Sequence, residues 1–361
     1  MKKFSLSILI FINVAIVLGL WLSGWCGFMN PNTYGWLSLI GYAFPAFLLA
    51  TIAFLFVWII IKKRFILISF IGLLVAYHPV THYFPINKAT ATNELPDSLI
   101  TLLSYNTCGW GNMPTSPDKE ISNEEKSEIL LDFLKEQNAD IVALQEAPKN
   151  GNVQAIYDLY EYSDTVKGKD DGVTVSLLSR YPIKKKENLN IKSKANAAGV
   201  FWLDVNGREM IVINVHLETM HFTLNERAQF REMVHGNQKE KDSIRSTSHT
   251  IFGKIYSATK TRAYQADTVA EFIAKHSDTP IIIMGDFNDI PQSYVHDKIC
   301  GDMTDCYAAS GFGPGYTFSH YAMRARIDNI ICTRDFTPYN CKVLDNISLS
   351  DHLPVTCKVL F

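Results

Sequence analysis

The chain has 361 residues, room for one large catalytic domain plus an anchor, and its 34 basic and 36 acidic residues give a formal charge of −2. The average hides two unlike parts: residues 1–85 hold no Asp or Glu and only five basic residues (Lys2, Lys3, Lys62, Lys63 and Arg64), leaving residues 86–361 with 29 basic against 36 acidic, a charge near −7. That balance argues against a protein gripping nucleic acid mainly through a broad basic surface, although a local basic groove or bound divalent ions can offset it.

A bilayer core about 30 Å thick takes roughly 20 apolar residues in helix. Residues 4–25 supply a first expected span after Lys2 and Lys3, residues 36–61 a second without any charge, and residues 65–83 a third that contains His78-Pro79. A cleaved signal peptide is the alternative for the first, but Trp25-Cys26 lacks the small residues of a cleavage site and another long apolar stretch follows. Cytoplasmic loops concentrate Lys and Arg, so Lys2, Lys3 and Lys62–Arg64 belong inside and the uncharged 26–35 loop outside. Three crossings put the rest of the chain on the outer face of an inner, cytoplasmic-type membrane; if the third only lies in the interface, the rest is cytoplasmic. Trp21, Trp25, Trp36, Tyr77 and Tyr83 near the span ends read as an interfacial aromatic belt. Residues 86–98 are polar, contain Pro96, and read as a short linker.

From Leu99 onward short apolar runs alternate with helical patterns. Expected strands are 99–105, 141–145, 173–179, 199–205, 210–216, 280–285, 327–332 and 354–361. Expected helices are 124–137, capped by Ser122 or Asn123 with Ile129, Leu130, Phe133 and Leu134 on one face, then 225–238 and 261–276. Interleaving without a repeat means an α/β domain. Residues 236–261 are long and polar, and read equally as a substrate-contacting loop or a solvated insertion. Neither G-x-x-x-x-G-K-[ST] nor G-x-S-x-G occurs, which removes support for nucleotide-triphosphate and serine-hydrolase readings. Six cysteines lie beyond residue 85 without a C-x-x-C pair, which speaks against a cysteine-based structural zinc site. In an exported domain Cys300 and Cys306 are the disulfide candidates by proximity; Cys332 and Cys357 fall in apolar runs and read as buried free thiols.

Polar residues recur at strand ends, where a sheet can gather them on one rim. Tyr105-Asn106, Gln145-Glu146 and Asn214-Val215-His216 end three runs; Gly285-Asp286-Phe287-Asn288 follows a fourth. Arg326-Ile327-Asp328-Asn329 and Ser350-Asp351-His352-Leu353-Pro354-Val355 open the last two. Singly each is an ordinary turn or surface group; six in series are not. The ordered series resembles the endonuclease/exonuclease/phosphatase superfamily over residues 99–361, the Gly-Asp-Phe-Asn and Ser-Asp-His-x-Pro-Val elements being the specific part. The resemblance implies a four-layer α/β sandwich of two mixed sheets flanked by helices.

It also implies roles that phosphodiester hydrolysis requires: an activated water, neutralised charge at phosphorus, and help for the leaving oxygen. Glu146 is the expected carboxylate for Mg²⁺ or Mn²⁺, with Asn106 beside it as ligand or water-holder and Asp351 as a further metal or supporting carboxylate. His352 is the expected base for the attacking water, and Asp328 fixes its tautomer. Asp286 and Asn288 position the nucleophile and the phosphoryl oxygens. His216 stands where deoxyribonuclease I and sphingomyelinases carry His and many repair endonucleases carry Tyr, which speaks against abasic-site repair; a His there binds phosphate or protonates the leaving group. Asp171 is either the orienter of His216 or a solvated loop carboxylate. Arg262 and Gln265 either face substrate from a helix start or are exposed helix polarity.

The expected function is a membrane-anchored, divalent-metal-dependent phosphodiesterase, with nuclease the first reading and a phospholipid or inositol-phosphate substrate the alternative. The expected partners are therefore a phosphodiester substrate and the lipid bilayer. A tethered scaffold on a dead catalytic fold is the reading from another class. It predicts lost site residues, and all eight are present.

Overall fold

The computed structural model describes residues 3–110, 121–169, 172–193, 195–235, 237, 241–320 and 323–361. The N-terminal part comprises α1 (Lys3–Gly24), a short α2 (Pro31–Tyr34), α3 (Phe44–Ile61), α4 (Ile66–Val75) and α5 (Tyr77–Tyr83). Among the described residues two stretches, Ser5–Gly24 and Pro31–Ile61, are long and apolar enough to cross a membrane. The third expected span is a bent pair, 64° apart at Ala76. Small residues let the helices approach: a side chain at Gly19 would strike Phe47, one at Gly72 Val17, and one at Gly24 Pro79 and Phe44. These pairings run α3 antiparallel to α1 and α4–α5 parallel to it. Inside the bundle Asn13 accepts from Trp58 Nε1 at 2.7 Å and donates to Ser69 at 3.0 Å, so its amide is satisfied away from water.

The rest of the chain forms β1 (Leu99–Asn106), α6 (Asn123–Gln137), β2 (Ile141–Gln145), α7 (Val153–Tyr157), β3 (Tyr162–Lys167), β4 (Thr174–Ser179), β5 (Ile183–Asn188), β6 (Ala197–Val205) and β7 (Arg208–His216). Then come α8 (Leu224–Val234), α9 (Lys241–Lys275), β8 (Ile281–Asp286), α10 (Tyr294–Cys300), β9 (Thr304–Asp305) and α11 (Cys306–Ser310). A hairpin of β10 (Phe318–His320) and β11 (Met323–Ala325), then β12 (Asp328–Cys332), β13 (Thr337–Val343) and β14 (Val355–Leu360), complete it. Two six-stranded mixed sheets result, ordered β13-β14-β1-β2-β4-β3 and β5-β6-β7-β8-β12-β9. Each has one parallel pair at its centre, β1 with β2 and β7 with β8.

Alternation along the strands builds four layers. Leu102, Ile141, Ala143 and Leu177 of the first sheet meet Phe201, Val212, Ile282, Met284 and Ile330 of the second. The intervening residues face outward: Leu103, Val142 and Leu144 onto Leu130, Phe133 and Leu134 of α6, and Ile211, Ile213 and Ile283 onto Ala266, Val269 and Phe272 of α9. The two mixed sheets flanked by helices are the expected fold. Helix α6 starts at a capping box in which Ser122 accepts from Glu125 N and Glu125 reaches back to Ser122 N.

Several expectations are corrected. Residues 241–260, read as loop, form the first half of a 35-residue helix about 52 Å long. Its buried positions include Thr247, Ile251, Ala258, Thr259, Arg262 and Gln265. They recur at helical spacing but are too polar or small to give an apolar period. Among the described residues every cysteine is free: Cys300 turns to the Met303 carbonyl, and Cys306 instead lies 3.5 Å from Cys332 sulfur to sulfur. The 86–98 stretch is mostly exposed and is tied to the domain at two points, Asn87 donating to Ala308 O and Gly311 O and Thr90 exchanging two hydrogen bonds with the Asn340 side chain. Of the expected aromatic belt, Trp36 stacks on Tyr256 with centroids 4.3 Å apart, and the Tyr83 and Tyr316 hydroxyls are 3.0 Å apart. Trp36 stays more than half exposed despite that contact, and Trp25 and Tyr77 are exposed in large part.

The seam between the two parts is tight. Asn32 Nδ2 donates to Lys260 O, Tyr42 OH donates to Asp289 Oδ1 at 2.8 Å, and Gln292 Nε2 to Pro79 O. Gly41 is pressed on this seam so closely that a Cβ would sit 2.0 Å from Gln292 O and 2.8 Å from Cys26 Sγ. Cys26 is buried there, which pushes its thiol up to about 12 and keeps it unreactive. Gly41→Ala is expected to cost about 1–3 kcal/mol by overpacking against backbone. It should lower the melting temperature in detergent and open Cys26 to maleimide; unchanged melting and unchanged protection of Cys26 would contradict this seam.

Candidate active site

The parallel pairs set the site. Both point their C-terminal ends to one rim: β1 delivers Asn106, β2 delivers Gln145-Glu146, β7 delivers His216, and β8 delivers Asp286. Beneath the rim Gln145 Nε2 donates to Asn214 Oδ1 at 2.7 Å, and Asn214 Nδ2 donates to the carbonyls of Leu144 and Ser176. These buried bonds tie one sheet to the other.

One oxygen is the hub. Asp286 Oδ2 accepts from Asn106 Nδ2 at 3.0 Å and Asn288 Nδ2 at 3.2 Å, with His216 Nε2 at 3.6 Å and His352 Nε2 at 3.7 Å. Glu146 Oε1 lies 3.2 Å from His216 Nε2 and accepts from Asn106 Nδ2 at 3.3 Å. His352 Nδ1 meets Asp328 Oδ2 at 2.9 Å. A carboxylate only accepts, so this nitrogen carries the proton and Nε2 is the free position aimed at Asp286. Asp351 lies beside the same ring, Oδ1 4.0 Å from His352 Nε2 and Oδ2 3.7 Å from Arg227 Nη1. Glu146 and Asn288 have positive φ of 47° and 52°, backbone that non-glycine residues adopt only when the surroundings impose it.

Burial and charge act against each other here. Burial works to raise Glu146, but contact with His216, the nearby His352 and the Asn106 amide hold it at about 2. Asp286 is driven up to about 6 by burial and by Asp328, against the pull of His352 and His216. Burial disfavours the His352 cation, yet Asp328 and Asp286 raise it to about 10. His216 is raised too, Glu146 and Asp286 outweighing burial.

The donors fit a hard divalent cation: carboxylates of Glu146 and Asp286 both approach the Asn106 amide and His216 Nε2, and Glu146 is partly exposed. Asn106 stands between the two carboxylates. Its Oδ1 accepts from Cys108 N at 3.0 Å while its NH₂ faces both carboxylates. The Asp286, Asp328 and His352 ligand atoms also cluster within 4.8 Å, but the direct 2.9 Å bond makes Asp328–His352 a hydrogen-bonded dyad.

Two expected substrate residues lie elsewhere. Arg262 is fully buried in the middle of α9, donating Nε to Asp289 Oδ2 at 3.1 Å, Nη1 to Glu218 O and Nη2 to Thr259 Oγ1. Gln265, equally buried, accepts from Glu218 N and donates to Glu218 Oε2. Both brace the loop after β7 from behind and do not face substrate. Asp171 lies outside the described residues. The partner that His216 does have was not legible: Asn196 Oδ1, 2.9 Å from His216 Nδ1. Asn196 donates its NH₂ to Ser193 Oγ and Glu218 Oε2, which fixes its oxygen toward the ring. Nothing but a lone loop Asn marks it in sequence.

A two-sheet sandwich with carboxylates, amides and two histidines gathered at the ends of its parallel strands is a phosphoesterase fold. The sequence model of the Endonuclease/Exonuclease/phosphatase family matches residues 108–352, and the chain belongs to that family. Residues 6–83 match a domain of unknown function, DUF8431. No curated protein matches the chain. Among solved structures, the human Nocturnin catalytic domain with bound sulfate aligns at TM-score 0.52 and 15% identity, over 73% of this chain and 94% of that one. Truncated Caenorhabditis elegans TDP2 aligns at 0.51 and 14%, over 73% and 98%. At such identities the likeness is one of fold.

Proposed function

We propose that the chain is a membrane-anchored phosphodiesterase dependent on Mg²⁺ or Mn²⁺, acting outside the cytoplasm, with nucleic acid as its first substrate class. The carrying observation is the single oxygen Asp286 Oδ2, within 3.7 Å of side chains from β1, β7, the loop after β8 and the β14 approach. Four separated segments converge on one small space, which a scaffold has no need of.

Glu146, with Asp286, would hold the cation, which supplies charge neutralisation at the phosphoryl oxygens and acidifies a bound water. His352 Nε2 takes the water's proton while Asp328 keeps Nδ1 protonated. Asn106 and Asn288 both donate to Asp286 Oδ2 and so orient the carboxylate that would hold the cation. His216 Nδ1 donates to Asn196, so its protonated form places Nε2–H at the rim as donor to the phosphate or leaving oxygen.

The sidedness follows the same order. The 26–35 connection touches the catalytic part through Asn32 and Lys260, while Lys62–Arg64 sit at the other end of the bundle. The bent α4–α5 pair runs parallel to α1 and ends at Tyr83 against Tyr316. Basic residues on one side and the catalytic part on the other favour an outer location.

A second reading rests on one observation. The loop carrying Asp286 and Asn288 continues into Asp289 and Gln292, which bond Tyr42, Cys26 and Pro79 of the anchor. A site held this near the spans suits a phosphoester presented at a bilayer surface. The deciding experiment assays the full chain in detergent or nanodiscs against DNA, RNA, sphingomyelin vesicles and phosphoinositide vesicles with Mg²⁺ or Mn²⁺. Glu146→Gln is expected to lower turnover by about 100-fold or more, the loss of several kcal/mol of charge stabilisation. Hydrolysis unaffected by Glu146→Gln or by excess chelator refutes the metal-dependent reading, and preference for vesicles selects the second substrate class.

A further inference from the structure

We infer that His82, His296 and Asp305 form a second metal site, for Zn²⁺ or a similar borderline transition ion, that clamps the N-terminal helices to the catalytic domain. His82 lies in the last turn of α5, His296 lies in α10, and Asp305 precedes α11. Their ligand atoms fall within 4.8 Å of one another. His82 Nε2 and His296 Nε2 each stand 3.2 Å from Asp305 Oδ2. Tetrahedral ligands at zinc–nitrogen and zinc–oxygen bond lengths are separated by roughly 3.3 Å. The two spacings to Asp305 fit ligands around a shared ion and also fit hydrogen bonds, the alternative that the test below separates.

The carboxylate itself carries the argument further. Asp305 Oδ1 accepts from Tyr307 N at 2.9 Å and Ala308 N at 3.0 Å, capping α11, and Arg326 Nη1 reaches both oxygens at 3.1 and 2.9 Å. Oδ1 is thus taken up by the two helix amides and Arg326, while Oδ2 faces Arg326 and both imidazoles. Two ring nitrogens converging on one carboxylate oxygen are the donor set that a borderline cation between them would use. Arg326, buried and bonded also to His82 O at 2.9 Å, holds Asp305 ionised and in one rotamer, as outer hydrogen-bond partners of ligating carboxylates do.

The surroundings leave room for a fourth ligand. The three residues line a cavity of about 570 Å³ with Trp25, His78, Gln292 and Asp297, at the seam of the two parts. Two imidazoles and one carboxylate suit Zn²⁺ and not Mg²⁺, which prefers oxygen donors. This separates the site from the Glu146 rim.

The test uses the full chain in detergent carrying Glu146→Gln, so that the rim does not dominate. Added Co²⁺ is expected to bind at one equivalent with the intense visible absorption of a tetrahedral nitrogen–oxygen site, and Zn²⁺ to displace it and raise the melting temperature. His82→Gln or His296→Gln should weaken Zn²⁺ binding more than the about 10–100-fold typical of losing an outer-shell partner. Absence of tetrahedral absorption in the folded Glu146→Gln chain overturns the proposal without any His variant. So does absorption that persists when both histidines are replaced. In either case the histidines are hydrogen-bond donors to Asp305 and no more.

Discussion

Replacing His352 by asparagine is expected to lower kcat by about 10²–10⁴-fold, the usual worth of a positioned acid or base, with little change in KM. Asparagine keeps an N–H within reach of Asp328 but has no basic nitrogen. The 2.9 Å bond to Asp328 and the 3.7 Å approach to Asp286 explain why one side chain matters so much. They fix the ring, its tautomer and its charge together. Asp328 and Asp286 raise His352 to about 10, so near neutrality the ring rests as a cation, and the reactive neutral form grows as pH rises. The pH profile of kcat/KM should therefore show an acid limb belonging to His352, and that limb should vanish in His352→Asn. A bound divalent cation repels the imidazolium, so higher occupancy should move the limb to lower pH. Residual activity within tenfold of the parent, with the limb intact, would remove His352 from the chemistry.

What sequence revealed of the fold divides by position in the sheets. The eight strands expected from apolar runs correspond to β1, β2, β4, β6, β7, β8, β12 and β14, which are the eight inner strands of the two sheets. The ones missed include all four edges: β3, β5, β9 and β13. An edge strand has one neighbour and one wet side, and its residues are chosen against further pairing. Strand β5 reads Ile183 to Asn188 with three lysines between, and is exposed along most of its length. It has no apolar alternation to find. The long α9 was hidden for the complementary reason, since its buried face carries Thr247, Thr259, Arg262 and Gln265.

The rim residues were legible because chemistry restricts their types and strand ends restrict their places. Asn106, Glu146, His216, Asp286, Asn288, Asp328 and His352 all border one space, while Asp351 approaches it from beside His352 and Arg227. What supports them was not legible. Asn196 and Glu218 act through bonds between segments far apart in sequence, and an Asn in a loop or a Glu after a strand carries no mark of that.

Arg262 shows the same limit and leads to the second large effect. Its side chain and that of Asp289 are both fully buried, joined at 3.1 Å. Arg262→Met is expected to destabilise the chain by about 3–5 kcal/mol, because Asp289 is left charged in the interior. The Tyr42 hydroxyl still donates to it at 2.8 Å, but a neutral hydroxyl does not replace a guanidinium. Two further losses add: the Glu218 carbonyl and the Thr259 hydroxyl each lose a donor. Because Asp289 follows Asn288 directly, and Glu218 bonds Asn196 behind His216, turnover should fall through disorder of the rim, with KM little altered at temperatures where the variant stays folded. Replacing both partners, Arg262→Met with Asp289→Leu, removes the buried charge and should recover most of the lost stability. Melting in detergent and KM for the best substrate decide between the roles. A large rise in KM with unchanged melting would return Arg262 to the substrate, whereas a collapsed melting temperature rescued by the double variant identifies an internal ion pair that holds the catalytic loop and the anchor seam in one piece.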